Sequence, residues 1–475
     1  MTESEPDDIS KDDEPVMSED DADLAMRKLS PSAKALLTAA KDIEEGVAVN
    51  LFQEDDESRH LRQMVSTFRG SLHSVLLQRL REVVQLGDVT LCSQRDLTSL
   101  IRELWQDNIS RLSRTELPFL EAALRSPGRT LTEMAKNASL SYAKARRAEK
   151  RLRTSGVLRI GGMLNTHALG LERILILSQN PSFVLGGPYV SAVLFSDSHS
   201  PTVLHSAIVP HERIDEISEV VRSIRDSAES AVVWRLSAGH SRMSGTYHSS
   251  EMGWNINLLH FRLMLRRDGD PLTIADTHDR AGPAPTLLNG LDTKIIDALV
   301  DRFDVAANSI GDITGVSKST VFRRRSLIIK NRLVLPRARV SIPRLSDRVC
   351  CILSPRCAGD IVHAWACLPL SYLSRIERLD RPKHKDAKVL LVSALPAGSG
   401  RDIIRILKEE VSKVHEADDF MVFAVSAGMQ NYPRVSTLYD IRRSTWNWDS
   451  NLTDVLSYGI LRREASEYNI PLDLA

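Results

Sequence analysis

From Leu61 to Val84 the apolar residues Met64, Val65, Phe68, Leu72, Val75, Leu76, Leu80 and Val83 recur at steps of three and four, which predicts one helix with a continuous apolar stripe. Such a stripe is either ordinary core or a face for a second helix or a second chain. Further on, apolar and β-branched runs predict strands at Arg173–Ser178, Tyr189–Phe195, Val203–Val209 and Ala231–Leu236, around a helix at Glu212–Ser227. A second strand-rich stretch follows at Arg348–Ser354, Ser371–Arg378, Lys388–Leu395 and Phe420–Ser426, with helices near Ala358–Leu368 and Ser399–His415. Its order is βαββαβ, that of a ferredoxin-like sandwich. In the earlier stretch the first helix is missing or shrunk to Pro181-Ser182-Phe183-Val184.

These two stretches belong to an internal duplication. Phe119-Leu120-Glu121-Ala122-Ala123-Leu124 lines up with Ile295-Ile296-Asp297-Ala298-Leu299-Val300, 176 positions later. At the same offset Met134–Ser141 matches Ile310–Ser317, and Leu152–Leu158 matches Ile328–Val334. Each copy reads as helix, short helix, tight turn, basic helix and two strands. Ser141 and Ser317 are placed to cap the basic helix, and Asn331-Arg332, opposite Ser155-Gly156, to end it. Both copies later reach Ser-Ala-Gly (237–239 and 426–428), then a tryptophan and an Asn-Leu (Trp254 to Leu258, Trp448 to Leu452).

Charge changes the picture. Lys plus Arg and Asp plus Glu are 62 each, yet residues 1–24 hold eleven acids and one lysine, leaving the remainder about ten charges positive. That acidic stretch reads as a disordered tail, able either to compete with DNA for basic helices or merely to solubilise the chain. It is the reverse of a signal peptide, no long apolar run spans a membrane, and five cysteines build no disulfide framework. A cytoplasmic protein without membrane partners is expected.

From Ser317 to Arg332 there are six cations and no acid; from Ser141 to Arg153 there are six cations and Glu149. A helix so basic is either a solvated face or a surface neutralised by a polyanion. Its repetition after the same helix and turn favours double-stranded DNA as the partner. Ser317, Lys318, Ser319 and Thr320, with Tyr142 and Lys144 in the first copy, would then stand at the groove. Arg323, Arg324, Arg146 and Arg147 would reach phosphates or guanines, while Arg337 and Arg339 (with Arg344 beyond them) would lie along the backbone as a wing.

Met134–Leu158 and Ile310–Val334, with Leu291-Asp292-Thr293-Lys294-Ile295-Ile296 and Gly315-Val316-Ser317-Lys318-Ser319-Thr320-Val321, resemble the helix-turn-helix of the Lrp/AsnC family of prokaryotic transcription regulators. The resemblance implies an α+β chain in which two winged helix-turn-helix domains alternate with two ferredoxin-like domains, after a helical N-terminal region. The expected layout is a tail at 1–24, helices at 25–111, heads at 112–167 and 287–345, sandwiches at 168–267 (reduced) and 346–475, and a linker at 268–286. It implies a sequence-specific DNA-binding regulator that is not an enzyme, with sandwiches for assembly and for sensing a small-molecule effector. The chain would be pseudo-dimeric by itself, with residues 57–86 as a surface for further homo-oligomerisation. The glycine-and-aspartate signature of the family's amino-acid pocket is absent between Arg378 and Lys388, so no amino-acid effector is implied. The competing reading is an enzyme on the same scaffold, since sirohaem decarboxylases resemble this family and occur as fused pairs.

No metal site, cofactor or catalytic group is expected. Cys350, Cys351, Cys357 and Cys367, with His363, lack paired Cys-x-x-Cys spacing, and core thiols stand against metal or redox sensing. Gly398-Ser399-Gly400 opens a helix as either an ordinary turn or a phosphate-holding one. Trp446 and Trp448 read as packing anchors.

Overall fold

The computed structural model describes residues 27, 29–47, 56–85, 92–197, 200–226, 228–266, 287–379, 387–416, 419–448 and 455–467. The expected tail at 1–24 and linker at 268–286 lie outside these. The fold is α+β, and the chain divides into two compact units, Met1–Ile109 and Ser110–Ala475. Among the described residues no helix is long and apolar enough to cross a membrane.

The first unit holds α1 (Pro31–Glu44), α2 (Asp56–Thr67), α3 (Leu72–Gln85) and α4 (Gln94–Ser110). Ser30 starts α1 by accepting from the Ala33 amide at 3.2 Å, with Pro31 in the first turn. The single helix expected from Leu61 to Val84 is in fact two. The chain breaks between Thr67 and Leu72, where Gly70 has φ +85°. Asn108 holds the break by accepting from the Arg69 amide at 2.9 Å and donating to the Arg69 carbonyl at 3.1 Å. Leu61, Val65, Leu72, Leu76 and Leu80 are buried with Leu37, Leu97 and Ile101, so the stripe is this unit's own core.

The second unit begins with α5 (Glu116–Arg125), α6 (Leu131–Asn137), α7 (Tyr142–Thr154) and β1 (Leu158–Leu164). Next come β2 (Leu171–Gln179), β3 (Phe183–Leu185), β4 (Val190–Ser196), β5 (Thr202–Pro210), α8 (Ile214–Asp226), β6 (Ser230–Leu236) and β7 (His240–Met243). A short hairpin, β8 (His248–Ser249) and β9 (Gly253–Trp254), leads to α9 (Leu258–Leu265). The pattern then recurs as α10 (Gly290–Asp301), α11 (Ala307–Thr314), α12 (Lys318–Lys330) and β10 (Val334–Val340). It continues through β11 (Asp347–Leu353), α13 (Pro355–Trp365), β12 (Leu370–Arg378), β13 (Ala387–Leu395), α14 (Ser399–Val411), β14 (Phe420–Val425) and β15 (Ala427–Gln430). The end holds α15 (Val435–Leu438), β16 (Tyr439–Asp440), β17 (Thr445–Trp446), β18 (Val455–Ser457) and α16 (Tyr458–Ala465).

Strand order is β6-β2-β5-β4 in the first half and β14-β11-β13-β12 in the second, the same antiparallel arrangement twice. The halves join at both ends. β6 pairs with β12, and β7 continues onto β12 after Ser237-Ala238-Gly239. β15 pairs with β4 after the chain leaves β14 at Ser426. The bond at each crossing is the same: Ser237 donates its amide to the Arg375 carbonyl at 3.0 Å, and Ser426 to the Phe195 carbonyl at 2.8 Å. The faces between the halves share one core, with Leu175, Leu194 and Trp234 from one side and Cys350, Tyr372 and Leu390 from the other.

Outer faces are covered reciprocally. α9, from the first half, packs on α13 and α14, and α8 and the last helix α16 cover the first half with Ile217, Val221, Leu461 and Ala465. The segment expected as a shrunken helix at Pro181–Val184 contributes β3, paired with β18.

The expected pair of wing strands in each copy is corrected. Each copy supplies one strand, because its chain then leaves for the large sheet, and β1 pairs antiparallel with β10. Gly161 faces Arg337, and these residues are 176 positions apart, so the local twofold of the duplication passes between them.

The crossing at Ser237-Ala238-Gly239 needs a residue without a side chain. A Cβ on Gly239 would sit 2.4 Å from the Tyr372 hydroxyl and 2.5 Å from the Leu373 carbonyl, whereas one on Gly359 would meet nothing within 4 Å. Gly239→Ala should cost about 1–3 kcal/mol by overpacking, read as a lower thermal midpoint. Gly359→Ala, inside α13, should match or exceed the parent.

Candidate nucleic-acid interface

Each three-helix set is built on a small apolar centre: Phe119, Leu120, Ala135, Ala145, Ala148 and Leu152 in the first, Ile295, Ile296, Leu299, Ile310, Val321 and Ile328 in the second. Thr130 and Glu133 form a capping box at α6, and Asn289 and Asp292 form another at α10. The turn before the third helix passes through the left-handed region at Ser139 (φ 54°) and at Gly315 (φ 69°). The third helix ends through the same region at Gly156 (φ 78°) and Arg332 (φ 54°). Both pairs keep the 176-residue offset, so the duplication extends to backbone conformation.

A buried carboxylate on the first helix of each set clamps an arginine of the third. Glu116 takes Arg151 at 2.7 Å, and Asp292 is bidentate with Arg324, its Oδ1 accepting from Nε at 2.8 Å. Donating to the Asp292 carboxylate raises the pKa of the Arg324 guanidinium above its ordinary value. Arg325 is also turned inward, donating to the Phe303 carbonyl at 3.2 Å.

These clamps decide which sequence-derived residues face solvent. On α7, Tyr142, Lys144, Arg146, Arg147 and Lys150 are exposed, and the four cations have no side-chain hydrogen bond or ion pair among the described residues. Glu149 does not offset them, since Arg153 binds it at 2.9 Å. At α12 the exposed residues are Ser317, Lys318, Ser319, Arg323 and Lys330, with Thr320 half-buried. Phe322, also on α12, is exposed. Ser141 caps its helix, its hydroxyl accepting from the Lys144 amide at 3.4 Å. Ser317 does not act as the expected side-chain cap; its hydroxyl contacts those of Thr320 at 3.0 Å and Ser319 at 3.3 Å.

Three expected contact residues are corrected. Arg324 is held by Asp292. Arg337 is buried, with Nη1 2.9 Å from the Met163 sulfur and its guanidinium 5.6 Å from the Tyr372 ring. Arg339 donates to the Gly162 carbonyl at 3.1 Å and lies 4.3 Å over the Tyr432 ring. The shared β1–β10 ribbon is therefore pinned to the interior by its arginines. Gly161 and Gly162 make room for this, since a Cβ on Gly161 would meet Arg339 Nη1 at 2.3 Å and one on Gly162 the Leu299 carbonyl at 2.6 Å. Among the described residues, α7 presents four exposed cations without a side-chain partner (Lys144, Arg146, Arg147 and Lys150) and α12 three (Lys318, Arg323 and Lys330).

A feature the sequence reading missed is a cleft of about 590 Å³ lined by His167, Glu172, His211, Glu212, Leu287, Tyr439 and Trp446. His211 Nδ1 is 2.9 Å from Glu172, whose other oxygen accepts from Arg235 at 3.0 Å. His167 and His211 are far apart in sequence and line the same cleft. His205, by contrast, is fully buried, lowered by desolvation to about 4, and accepts from the Leu185 amide at 3.0 Å. Trp446 donates to the Leu169 carbonyl at 2.9 Å, an anchoring contact. The Gly398–Gly400 turn is taken up internally, its Gly400 amide donating to Asp347 at 2.9 Å.

No family model matches the chain, and no curated protein matches it. Among solved structures it is similar to the crystal structure of the siroheme decarboxylase NirDL, with a TM-score of 0.36, 12% identity, and coverage of 69% of this chain and 98% of that one. That neighbour is an enzyme, and the expectation of a chain that is not an enzyme is withdrawn on this finding.

The clamps give a stability test. Asp292→Asn and Arg324→Ala should each lower unfolding free energy by about 1–3 kcal/mol, because each leaves a largely buried partner unpaired. Arg323→Ala, on an exposed neighbour, should leave the chemical denaturation midpoint unchanged.

Proposed function

We propose that the chain is a DNA-binding transcription regulator of the Lrp/AsnC kind. In this reading its two three-helix sets are winged helix-turn-helix heads, and its two strand-rich halves are ferredoxin-like modules that hold the heads as a pseudo-dimer. The observation that carries it is the set of exposed, unpartnered cations Lys144, Arg146, Arg147 and Lys150 on α7, repeated as Lys318, Arg323 and Lys330 on α12. Unpaired like charges on one helix repel one another, and a phosphate backbone relieves that repulsion with release of counterions. Ser317, Lys318, Ser319 and Tyr142 stand at helix starts, where a third helix meets base edges. α7 supplies most of the phosphate contacts and α12 most of the base readout.

The test is duplex binding across a salt series. Wild-type affinity should fall steeply with salt, and each lost phosphate contact should reduce the slope by about 0.9. Arg146→Ala with Arg147→Ala should therefore flatten the slope, whereas Arg324→Ala should leave it unchanged. Binding that ignores salt, or an Arg324→Ala slope as flat as that of the double variant, would overturn the reading.

A second reading, an enzyme resembling the sirohaem decarboxylases, is favoured by the cleft that His167, His211 and Glu172 line. Histidines there would hold the carboxylates of a tetrapyrrole. Under it, an added sirohaem-type tetrapyrrole acquires a bound visible spectrum that His211→Ala removes. Under the DNA-binding reading alone, the spectrum stays that of free pigment.

A further inference from the structure

The cysteine-rich stretch conceals a cluster that sequence spacing does not reveal. Cys350 and Cys351 point to opposite faces of β11 and enter different cores, and the Cys367 thiol turns to the His363 carbonyl at 3.7 Å. Cys357 is different. Its sulfur, a ring nitrogen of His415 and a carboxylate oxygen of Asp419 all lie within 4.8 Å of one another.

Three elements fix these side chains. Cys357 sits in the first turn of α13, with its amide bonded to the Ser354 carbonyl at 3.1 Å. His415 follows the end of α14, where its amide reaches the Val411 carbonyl at 2.9 Å. Asp419 precedes β14, and its carbonyl accepts from the Ser354 amide at 2.7 Å, tying it to the start of α13. β11 and β14 are paired up to Leu353 and Phe420, so the backbone beneath the cluster is held by sheet.

We propose that Cys357, His415 and Asp419 bind a divalent transition-metal ion of the zinc type. Thiolate, imidazole and carboxylate are its preferred donors, and bond lengths of 2.0–2.3 Å in a tetrahedron need donors roughly 3.3–3.7 Å apart. Rotamer adjustment of about 1 Å closes that gap. Cys357 is buried, whereas His415 and Asp419 are half-buried, so the ion enters from their side. Full burial of the thiol also disfavours use of the same three groups as a nucleophile, base and orienter. On binding, the ion replaces the Cys357 thiol proton, which passes to solvent, and a fourth position stays open to water. The ion would clip the end of α14 to the start of α13. Those are the two helices on which α9 of the first half packs, with Arg266 bound to Glu410 of α14 at 2.8 Å. Metal would thereby stiffen the contact between the halves.

The test is titration of untagged, reduced full-length protein with Co2+. The expected result is one tight equivalent with a thiolate-to-cobalt charge-transfer band and tetrahedral visible bands, both abolished by added Zn2+. Cys357→Ser should remove the charge-transfer band, and His415→Ala and Asp419→Asn should each weaken binding at least tenfold. Cys367→Ser should change nothing. If Cys357→Ser fails to fold, the other two variants still decide, because their side chains are partly in solvent. Absence of a charge-transfer band in the parent, or binding unchanged in both His415→Ala and Asp419→Asn, overturns the proposal.

Discussion

The interaction on which the second unit depends is the exchange of strands between its two halves. A four-stranded antiparallel set ends in edges whose amides and carbonyls need partners. Here β4 and β12 are the strands that would be left open, and each is closed by the continuation of the other half's last strand, β15 on β4 and β7 on β12. The two crossing serines make equivalent bonds, and the inward faces then have no solvent side. Neither half can complete its sheet alone. The same dependence recurs in the helices, since α9 and α16 each cover the half that does not directly precede them.

This exchange fixes the candidate interface. Because the chain leaves for the large sheet soon after the third helix of each copy, each copy has only one strand to spare, and β1 and β10 pair with each other. The local twofold through Gly161 and Arg337 then relates the two three-helix sets. Arg337 and Arg339 are drawn inward by Tyr372, Met163 and Tyr432, which lie on or beside that sheet. What remains for a polyanion is the exposed charge of α7 and α12.

Much of this was legible in the sequence, for physical reasons. Alternation and β-branched runs located β11, β12, β13 and β14 to within a residue or so, because buried strands tolerate little else. The repeated Ser-Ala-Gly was visible, but its meaning was not, since a crossing is a relation between distant strands. The break at Gly70 interrupts an apolar stripe that keeps its helical step on both sides, so periodicity alone passes over it. Arg324 illustrates the limit for site residues. Its neighbours Arg323 and Arg325 look equivalent in sequence, yet only the position of Asp292, thirty-two residues earlier, decides that Arg324 is clamped. His167 with His211, and Cys357 with His415 and Asp419, are likewise products of topology.

The central claim is that one chain presents two heads, related by the β1–β10 twofold, to a single duplex. Hydroxyl-radical footprinting of a selected duplex, at one chain per DNA, tests it directly. The account predicts two protected patches on one face, about one helical turn or roughly 34 Å apart, with both lost when β1–β10 pairing is broken by Gly162→Val. A single protected patch, or protection that requires two chains per duplex, would contradict it.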